Sequence, residues 1–380
     1  MDVAEKPQQL VVPSGHADRL GHIDALRAIA ALLVVWMHVS QKFFSISPAT
    51  LDSRWVYDWS LFLNTGRIGV VLFFAISGFV IPFSIRFDST APVREFLLRR
   101  FFRIFPAYWL SIPLGILTGT LIWGGDFPLR YVLVNLTLLQ YWLDIPSAMG
   151  LYWTLVLEVV FYLCCAVLIF ARSMENYQRI ATLATVLVAI HIAAVVSVRM
   201  GNLGGAFLAS LWFFQLGIMF WGTLFRAWYD GRLQSVFPLT CAWIILAFIA
   251  VIYPAYFLLV LKFESYYYLP YALAIGIFVL GTTAMKIRFS PLVWIGRISY
   301  SIYLLHPVVF NSMLWLVMKT NPNSFWRTRH VATYVIVNTA ITIVLASFAY
   351  RWVEKPAIEM GRALSLRWFG TRMRVLSQAT

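Results

Sequence analysis

The feature that most constrains the fold is a series of long apolar segments that recurs along the whole chain. Hydrophobic residues make up 61% of the 380 residues and charged residues only 12%, and one uncharged run reads VVLFFAISGFVIPF. A helix that spans the hydrocarbon core of a bilayer needs about 20 mostly apolar residues. The sequence therefore predicts an all-α, polytopic membrane protein.

Eleven apolar segments fit this description, with boundaries that are uncertain by about four residues. They cover 23–43, 67–86, 97–123, 130–143, 151–171, 178–198, 206–225, 237–260, 266–285, 293–318 and 331–354.

The positions of arginine and lysine indicate which of these segments cross the bilayer. Cytoplasmic loops collect both residue types. If 130–143 does not cross, the loops that carry Arg172, Arg226 and Lys286 fall on the same side as both chain ends. We therefore predict about ten spanning helices, cytoplasmic termini, and a short re-entrant or interfacial segment at 130–143. The loop that carries Arg327 is an exception, because it lands outside.

The same pattern divides the chain into three parts and excludes some functions. We expect a cytoplasmic N-terminal segment (1–22), a membrane domain (23–356) and a basic cytoplasmic tail (357–380). The net charge of +14 does not indicate nucleic-acid binding, because the basic residues lie between apolar segments rather than in one long run. The three cysteines lie within apolar runs and lack the spacing of metal ligands, so we expect no metal.

The first apolar segment carries an arginine near its start and a histidine deep inside it. Arg27 and His38 are eleven positions apart, which places them on one face of a helix with a rise of about 16 Å. Ionisable groups inside a membrane are costly and usually functional. A ligand with phosphates at one end and reactive chemistry at the other fits this spacing. Coenzyme A is such a molecule, although Arg27 by itself is equally consistent with a membrane anchor.

Six stretches, taken together and in order, resemble the acyltransferase-3 family of bacterial membrane acyltransferases. They read RLGHIDALRAIAALLVVWMHV (19–39), GVVLFFAISGFVI (69–81), LLRRFFRIFPAYWLS (97–111), LYWTLVLEVVFYL (151–163), IGRISYSIYLLHPVV (295–309) and YRWVEKPAI (350–358). The resemblance implies a multi-pass protein of the bacterial cytoplasmic membrane. Such a protein moves an acyl group, commonly acetyl from acetyl-CoA, to a hydroxyl of a glycan or a lipid-linked sugar.

Within this interpretation, two residues are candidates for catalysis and three for binding the donor. His38 acts either as a general base or as a transient acyl carrier, and Glu158 lies at a similar predicted depth and supports its ring. Arg27, Arg100 and Arg103 hold the phosphates of acyl-CoA, since guanidinium groups match phosphates. An alternative role for the Arg100–Arg103 pair is to anchor lipid headgroups.

Further polar residues are candidates for lining a substrate tunnel. Tyr303 and His306 share one helical stripe with Ser299, which indicates either a tunnel wall or a structural polar seam. Ser77, next to a glycine, allows close helix packing or donates a hydrogen bond to an oxyanion. Asn135 is a candidate for binding sugar hydroxyls.

Two other functions stay open at this point. In the first, the acyl acceptor is a macrolide-like small molecule. In the second, the chain is a transporter that catalyses no reaction, because polar groups at mid-membrane are also typical of transporters. The sequence leaves the oligomeric state open.

Overall fold

The apolar segments fold into helices that pack side by side. The computed structural model describes residues 21–46, 51–124, 126–199, 204–261, 268–321 and 323–369, and every regular element in these ranges is helical. The predicted all-α class is confirmed. The two ends of the chain, 1–20 and 370–380, lie outside the described residues, and with them most of the predicted N-terminal segment and part of the predicted tail.

The helices are numbered here in chain order. They are α1 (Gly21–Phe44), α2 (Leu51–Leu63), α3 (Thr65–Val80), α4 (Pro92–Trp123), α5 (Leu129–Asn135), α6 (Tyr152–Phe170), α7 (Tyr177–Arg199), α8 (Gly204–Tyr229), α9 (Val236–Ala247), α10 (Tyr253–Tyr256), α11 (Leu269–Thr283), α12 (Ser290–Arg297), α13 (Ser299–Lys319), α14 (Val331–Ala349) and α15 (Lys355–Phe369). A 3₁₀ turn follows α3 at Pro82–Ser84, and π-turns occupy Phe248–Ile252, Phe257–Leu261 and Tyr350–Glu354.

Eight helical stretches in the described part of the chain are long and apolar enough to cross a membrane. They are Gly21–Phe44, Thr65–Ser84, Pro92–Thr120, Tyr152–Phe170, Tyr177–Ser197, Val236–Leu259, Ser299–Lys319 and Val331–Phe369. Each coincides with a segment predicted to span. The two other predicted spans fall on α8 and on the shorter apolar helix α11. The polytopic architecture is confirmed, and the count of ten stays a prediction.

The segment 130–143 is too short to cross as a helix. Its only helix, α5, has seven residues and is therefore about 10 Å long. Turns follow it, with Leu138 and Asp144 in the left-handed region of the backbone. The structure thus agrees with the prediction that this segment does not span as a helix.

Small residues let the central helices approach closely. A Cβ atom at Gly78 would lie 1.8 Å from the Met219 carbonyl oxygen of α8, and one at Gly69 would lie 2.4 Å from the Ala30 carbonyl oxygen of α1. Small residues at such contacts are typical of helices packed in membranes. The interpretation of Gly78 and its neighbour Ser77 as a close-packing pair is confirmed for the glycine.

The exception to the charge pattern has a local explanation. Arg327 donates from Nε to the Val317 carbonyl over 3.1 Å and from Nη2 to the Met318 carbonyl over 2.7 Å. These are carbonyl groups at the end of α13, which lack partners within the helix. The arginine therefore caps α13, a role that does not depend on the side of the membrane.

The helical part of the chain extends beyond the predicted end of the membrane domain at 356. Helix α15 continues to Phe369 and packs on α4, where a Cβ atom at Gly361 would lie 2.7 Å from the Phe102 Cβ. The Phe369 carbonyl accepts hydrogen bonds from Ser89 and Thr90 in the loop before α4. The first part of the predicted tail is thus a packed helix.

Candidate active site

A cavity lies between α1, α3, α4, α6 and α13. Polar and charged side chains from all five helices line it together with apolar ones. The residues are Arg27, Val70, Phe73, Phe74, Ser77, Ile81, Arg100, Arg103, Ile104, Thr154, Leu155, Glu158, Tyr162, Ser299, Tyr300 and Tyr303. The sequence singled out seven of these: Arg27, Ser77, Arg100, Arg103, Glu158, Ser299 and Tyr303. They come from five separate helices, and the fold brings them together.

Two of the three arginines in the cavity have carboxylate partners. Arg27 lies 3.7 Å from Asp24, one turn earlier on α1. Arg103 forms an ion pair with Glu354 and also lies over the Tyr300 ring at 5.5 Å. These carboxylates fix the two guanidinium groups in place and offset part of their charge.

The third arginine, Arg100, is held without a carboxylate. It donates to the Ser84 hydroxyl and lies over the rings of Phe96 and Tyr162, at 5.5 Å and 5.6 Å from their centroids. Among the residues that the structure describes, no acid pairs with it, and its Nε is buried without a hydrogen-bond partner. Arg100 is thus the cavity arginine whose charge no described carboxylate offsets, and this makes it the strongest candidate for binding an anion.

Neighbouring arginines at the same end of the bundle are paired differently. Arg86 and Arg99 each lie 3.6 Å from the buried carboxylate of Glu95. Arg86 also donates to Asp88 over 3.2 Å, and this hydrogen bond lowers the pKa of the Asp88 carboxyl. Arg86 and Arg99 do not line the cavity, which distinguishes them from Arg100.

Glu158 is the carboxylate that lines this cavity beside the arginines, and no described contact joins it to His38, the ring that it was predicted to support. Its Oε1 accepts a hydrogen bond from the Tyr162 hydroxyl at 2.6 Å. Thr154, one turn before Glu158, forms a hydrogen bond with the Tyr303 hydroxyl at 2.7 Å. This contact fixes the offset of α6 along the axis of α13. Glu158 lies one turn from this contact toward the arginines. His306 lies about one turn from it in the opposite direction along α13.

The partner of His38 is His306. The Nδ1 of His38 and the Nε2 of His306 are 2.8 Å apart, and the two ring planes are within 5° of parallel, which suits a hydrogen bond between ring nitrogens. His306 is only 1% exposed, whereas His38 is half-buried. Phe310 packs against both rings, with centroid distances of 6.5 Å and 6.0 Å. The sequence predicted that His306 lies in a tunnel wall or in a structural polar seam, and the structure gives it a direct hydrogen bond to the candidate base.

His38 and His306 do not line the cavity that holds the three arginines. Tyr303 lies between this cavity and the histidine pair. Its ring lines the cavity and lies 5.9 Å from the His306 ring, and Phe73 packs edge-on against it at 6.0 Å. The expected open passage from Arg27 to His38 is therefore not seen. The two residues share α1, but the aromatic side chain of Tyr303 lies at the boundary between their surroundings.

Asn135 does not have the predicted role in binding sugar hydroxyls. It is fully buried in α5, and its amide nitrogen donates to the carbonyls of Tyr131 and Pro146, at 2.8 Å and 3.0 Å. Its oxygen accepts from the Ala148 amide at 2.9 Å. The side chain thus makes three hydrogen bonds to the backbone of α5 and the turns after it, because buried polar groups need such partners.

Three polar cavity residues were not singled out from the sequence. Tyr162 binds Glu158, Thr154 binds Tyr303, and the Tyr300 hydroxyl donates to the Ile104 carbonyl at 2.9 Å. Tyr162 follows Glu158 by four positions, which is one helical turn, so its proximity was available from spacing alone.

A comparison with protein families decides the classification. The family described as an acyltransferase domain, acyltransferase-3, matches residues 20–351, most of the chain. The chain belongs to this family. The match includes all three arginines of the cavity, Glu158 and both histidines. Acyltransferase-3 membership confirms the resemblance drawn from the six sequence motifs.

Curated relatives of this acyltransferase-3 protein are distant in sequence. It is 23% identical to the peptidoglycan O-acetyltransferase OatA of Listeria monocytogenes over 89% of its own length and 56% of OatA. It is 25% identical to nodulation protein 10 of Rhizobium leguminosarum bv. viciae over 93% of its length and 96% of that protein. A shorter match, at 30% identity and 38% of each chain, links it to the acyltransferase MdmB of Streptomyces mycarofaciens. The chain thus spans about half the length of OatA, and no solved structure matches it.

Proposed function

We propose that this protein is a membrane O-acyltransferase. It moves an acyl group, with acetyl as the first choice, from acyl-CoA in the cytoplasm to a hydroxyl of a cell-surface glycan or a lipid-linked sugar. Family membership and relatives named as peptidoglycan O-acetyltransferases support the reaction class. The single observation that carries the donor is Arg100, which lines a cavity with two further arginines and has no carboxylate partner among the described residues.

The residues of the cavity fit the phosphates of acyl-CoA. Arg27, Arg100 and Arg103 supply three guanidinium groups against one lining carboxylate, Glu158. Guanidinium groups bind phosphate oxygens in a two-pronged geometry. The apolar part of the lining, which includes Phe73 and Phe74, suits the uncharged arm that carries the thioester. In this proposal the thioester reaches His38 when the Tyr303 ring turns aside.

His38 removes the proton of the acceptor hydroxyl. The freed oxygen attacks the thioester carbonyl, the carbon–sulfur bond breaks, and coenzyme A leaves as a thiolate that takes the proton back from the His38 ring. His38 is half-buried, whereas His306 is 1% exposed, so His38 is the histidine assigned to the acceptor. A positioned base typically contributes ~10²–10⁴-fold to the rate. In the second route His38 accepts the acyl group on its ring and passes it to the hydroxyl.

The reaction is tested with purified protein, labelled acetyl-CoA and acceptor glycans. We expect release of free coenzyme A and label in the glycan, and His38→Ala should abolish both while acetyl-CoA binding persists. A transporter would leave the thioester intact. Normal transfer by His38→Ala would remove His38 from the mechanism, and a burst of acid-labile label on the wild-type protein would favour the acyl-histidine route.

The acceptor class is tested in cells. Mass spectrometry of surface glycans from strains with and without this gene should show the loss of an acyl ester in its absence. Unchanged glycans, together with coenzyme A release on a macrolide-like molecule in vitro, would replace the glycan with that small molecule.

A further inference from the structure

His306 is hydrogen-bonded on both ring nitrogens, and a proline leaves a backbone carbonyl available to one of them. In an α-helix the carbonyl of Tyr303 would accept from the amide of residue 307, but residue 307 is proline and has no N–H. The His306 ring takes this carbonyl instead, with Nδ1 at 2.7 Å from the Tyr303 oxygen and 3.3 Å from the Ile302 oxygen.

This contact fixes the proton on the His306 ring. A carbonyl oxygen only accepts hydrogen bonds, so the Nδ1 of His306 must be the donor. A second proton on the ring would create an imidazolium in an apolar interior where the residue is 1% exposed, and such a charge is costly. The ring is therefore neutral, and its Nε2 carries a lone pair.

The same reasoning extends to His38. The Nε2 of His306 lies 2.8 Å from the Nδ1 of His38, and since it is an acceptor, the His38 Nδ1 must donate. The neutral His38 ring then has its lone pair on Nε2. The other described groups that act on this ring are Phe310, through packing, and Lys42, through charge, and neither accepts a proton from it.

We propose that His306 is a positioning residue that makes His38 a base at Nε2 by holding the proton on its Nδ1. This inference rests on the proposed function of His38. Pro307 contributes by leaving the Tyr303 carbonyl available to His306. When the His38 ring takes the acceptor's proton, its Nδ1–H bond to His306 becomes charge-assisted and stronger. A neutral imidazole thus does the work that a carboxylate does in a hydrolase triad.

Two variants separate this role from simple packing. His306→Gln places an amide oxygen near the position of Nε2 and keeps an acceptor for His38, whereas His306→Leu has a similar size and no acceptor. We expect kcat to fall by ~10²-fold or more in the leucine variant, in line with loss of a working general base. The glutamine variant should recover most of this loss. The KM for acyl-CoA and its calorimetric Kd should stay unchanged in both. Equal kcat values for the two variants would overturn the proposal.

Pro307→Ala gives an independent test. It restores an N–H that competes for the Tyr303 carbonyl, so kcat should fall in the same direction as in His306→Leu but by less, with unchanged acyl-CoA binding. A kcat equal to that of the wild type would show that Pro307 has no part in the arrangement.

A spectroscopic measurement tests the proton position without turnover. In ¹⁵N-histidine-labelled protein in nanodiscs, the His38 signals are assigned by their loss in His38→Ala. We expect a protonated Nδ1 and an unprotonated Nε2 in the wild type, and a loss of this preference in His306→Leu. A proton on Nε2 in the wild type would overturn the proposal. If the proton is on Nδ1 and the protein transfers no acyl group, the proposed function fails and the hydrogen-bond assignment stands.

Discussion

Arg103 and Glu354 are 251 positions apart in the chain and form an ion pair between α4 and the π-turn that ends α14. Glu354 is 1% exposed, and its second oxygen accepts from the Ser301 hydroxyl of α13 at 2.5 Å. Three helices are thereby joined at one carboxylate, directly beside the arginine-lined cavity. Arg103 has a structural role as well as its proposed role toward the donor.

Loss of Arg103 should therefore destabilise the protein. Arg103→Ala leaves the Glu354 charge buried and unpaired, a change that typically costs about 3–5 kcal/mol. We expect a clear drop in the thermal unfolding temperature of the detergent-solubilised protein. The double variant Arg103→Ala with Glu354→Gln should regain part of the loss, because the amide carries no charge. A single variant as stable as the wild type would contradict a buried ion pair.

Loss of Arg100 should weaken donor binding without this structural cost. A hydrogen bond to a charged group contributes about 1.5–3 kcal/mol, so Arg100→Ala should raise the Kd for acyl-CoA by roughly 10- to 100-fold. The dependence of binding on salt should also become shallower. Calorimetry on the solubilised protein measures both quantities.

Arg99→Ala is the matched control for this prediction. It removes the same charge from the adjacent position, but Arg99 faces Glu95 and does not line the cavity. Its effect on the Kd should be small. Equal losses for the two variants would mean that general attraction, rather than the Arg100 contact, binds the donor.

Glu158→Gln should tighten donor binding. The amide keeps an oxygen for the Tyr162 hydroxyl and removes only the negative charge that faces the arginines. A unit charge at ~10 Å and an effective dielectric constant of ~20 contributes about 1–2 kcal/mol, so the Kd for acyl-CoA should fall several-fold. If binding is unchanged and only kcat drops, Glu158 acts on the reacting groups instead.

Gly78 should tolerate no side chain. A Cβ atom would lie 1.8 Å from the Met219 carbonyl oxygen, which is backbone and cannot turn away, so Gly78→Ala must push α3 and α8 apart. Overpacking typically costs about 1–3 kcal/mol. We expect a lower yield of folded protein by size-exclusion chromatography. Gly119→Ala, in helix α4 with nothing within 4 Å of its Cβ, should leave the yield unchanged.

Features that depend on a single helix were predictable from the sequence. The three-residue spacing of Arg100 and Arg103 predicts one face of α4, and both do line the same cavity. The apolar length of the segments likewise predicted the helices, and charge counting indicated that 130–143 does not cross as a helix. Each of these inferences uses only the geometry of one helix and its neighbours in the chain.

Features that depend on how helices are offset along their axes were not predictable. Counting residues from each helix end placed Glu158 at the depth of His38, but the Thr154–Tyr303 contact sets α6 against α13 so that Glu158 meets the arginines. The bond between His38 and His306 has the same origin. Residue type alone also misled at Asn135, whose amide serves the backbone around it.

The π-turn at Tyr350–Glu354 has a consequence for how this chain tolerates insertions and deletions. A π-turn holds an extra residue compared with an α-helical turn, and each residue rotates a helix by about 100°. Deleting one residue between 350 and 353 would regularise the helix and swing the Glu354 carboxylate to another side of its axis. The length of this turn therefore determines whether the Glu354 carboxylate meets Arg103. We expect a one-residue deletion there to destabilise the protein more than most substitutions nearby.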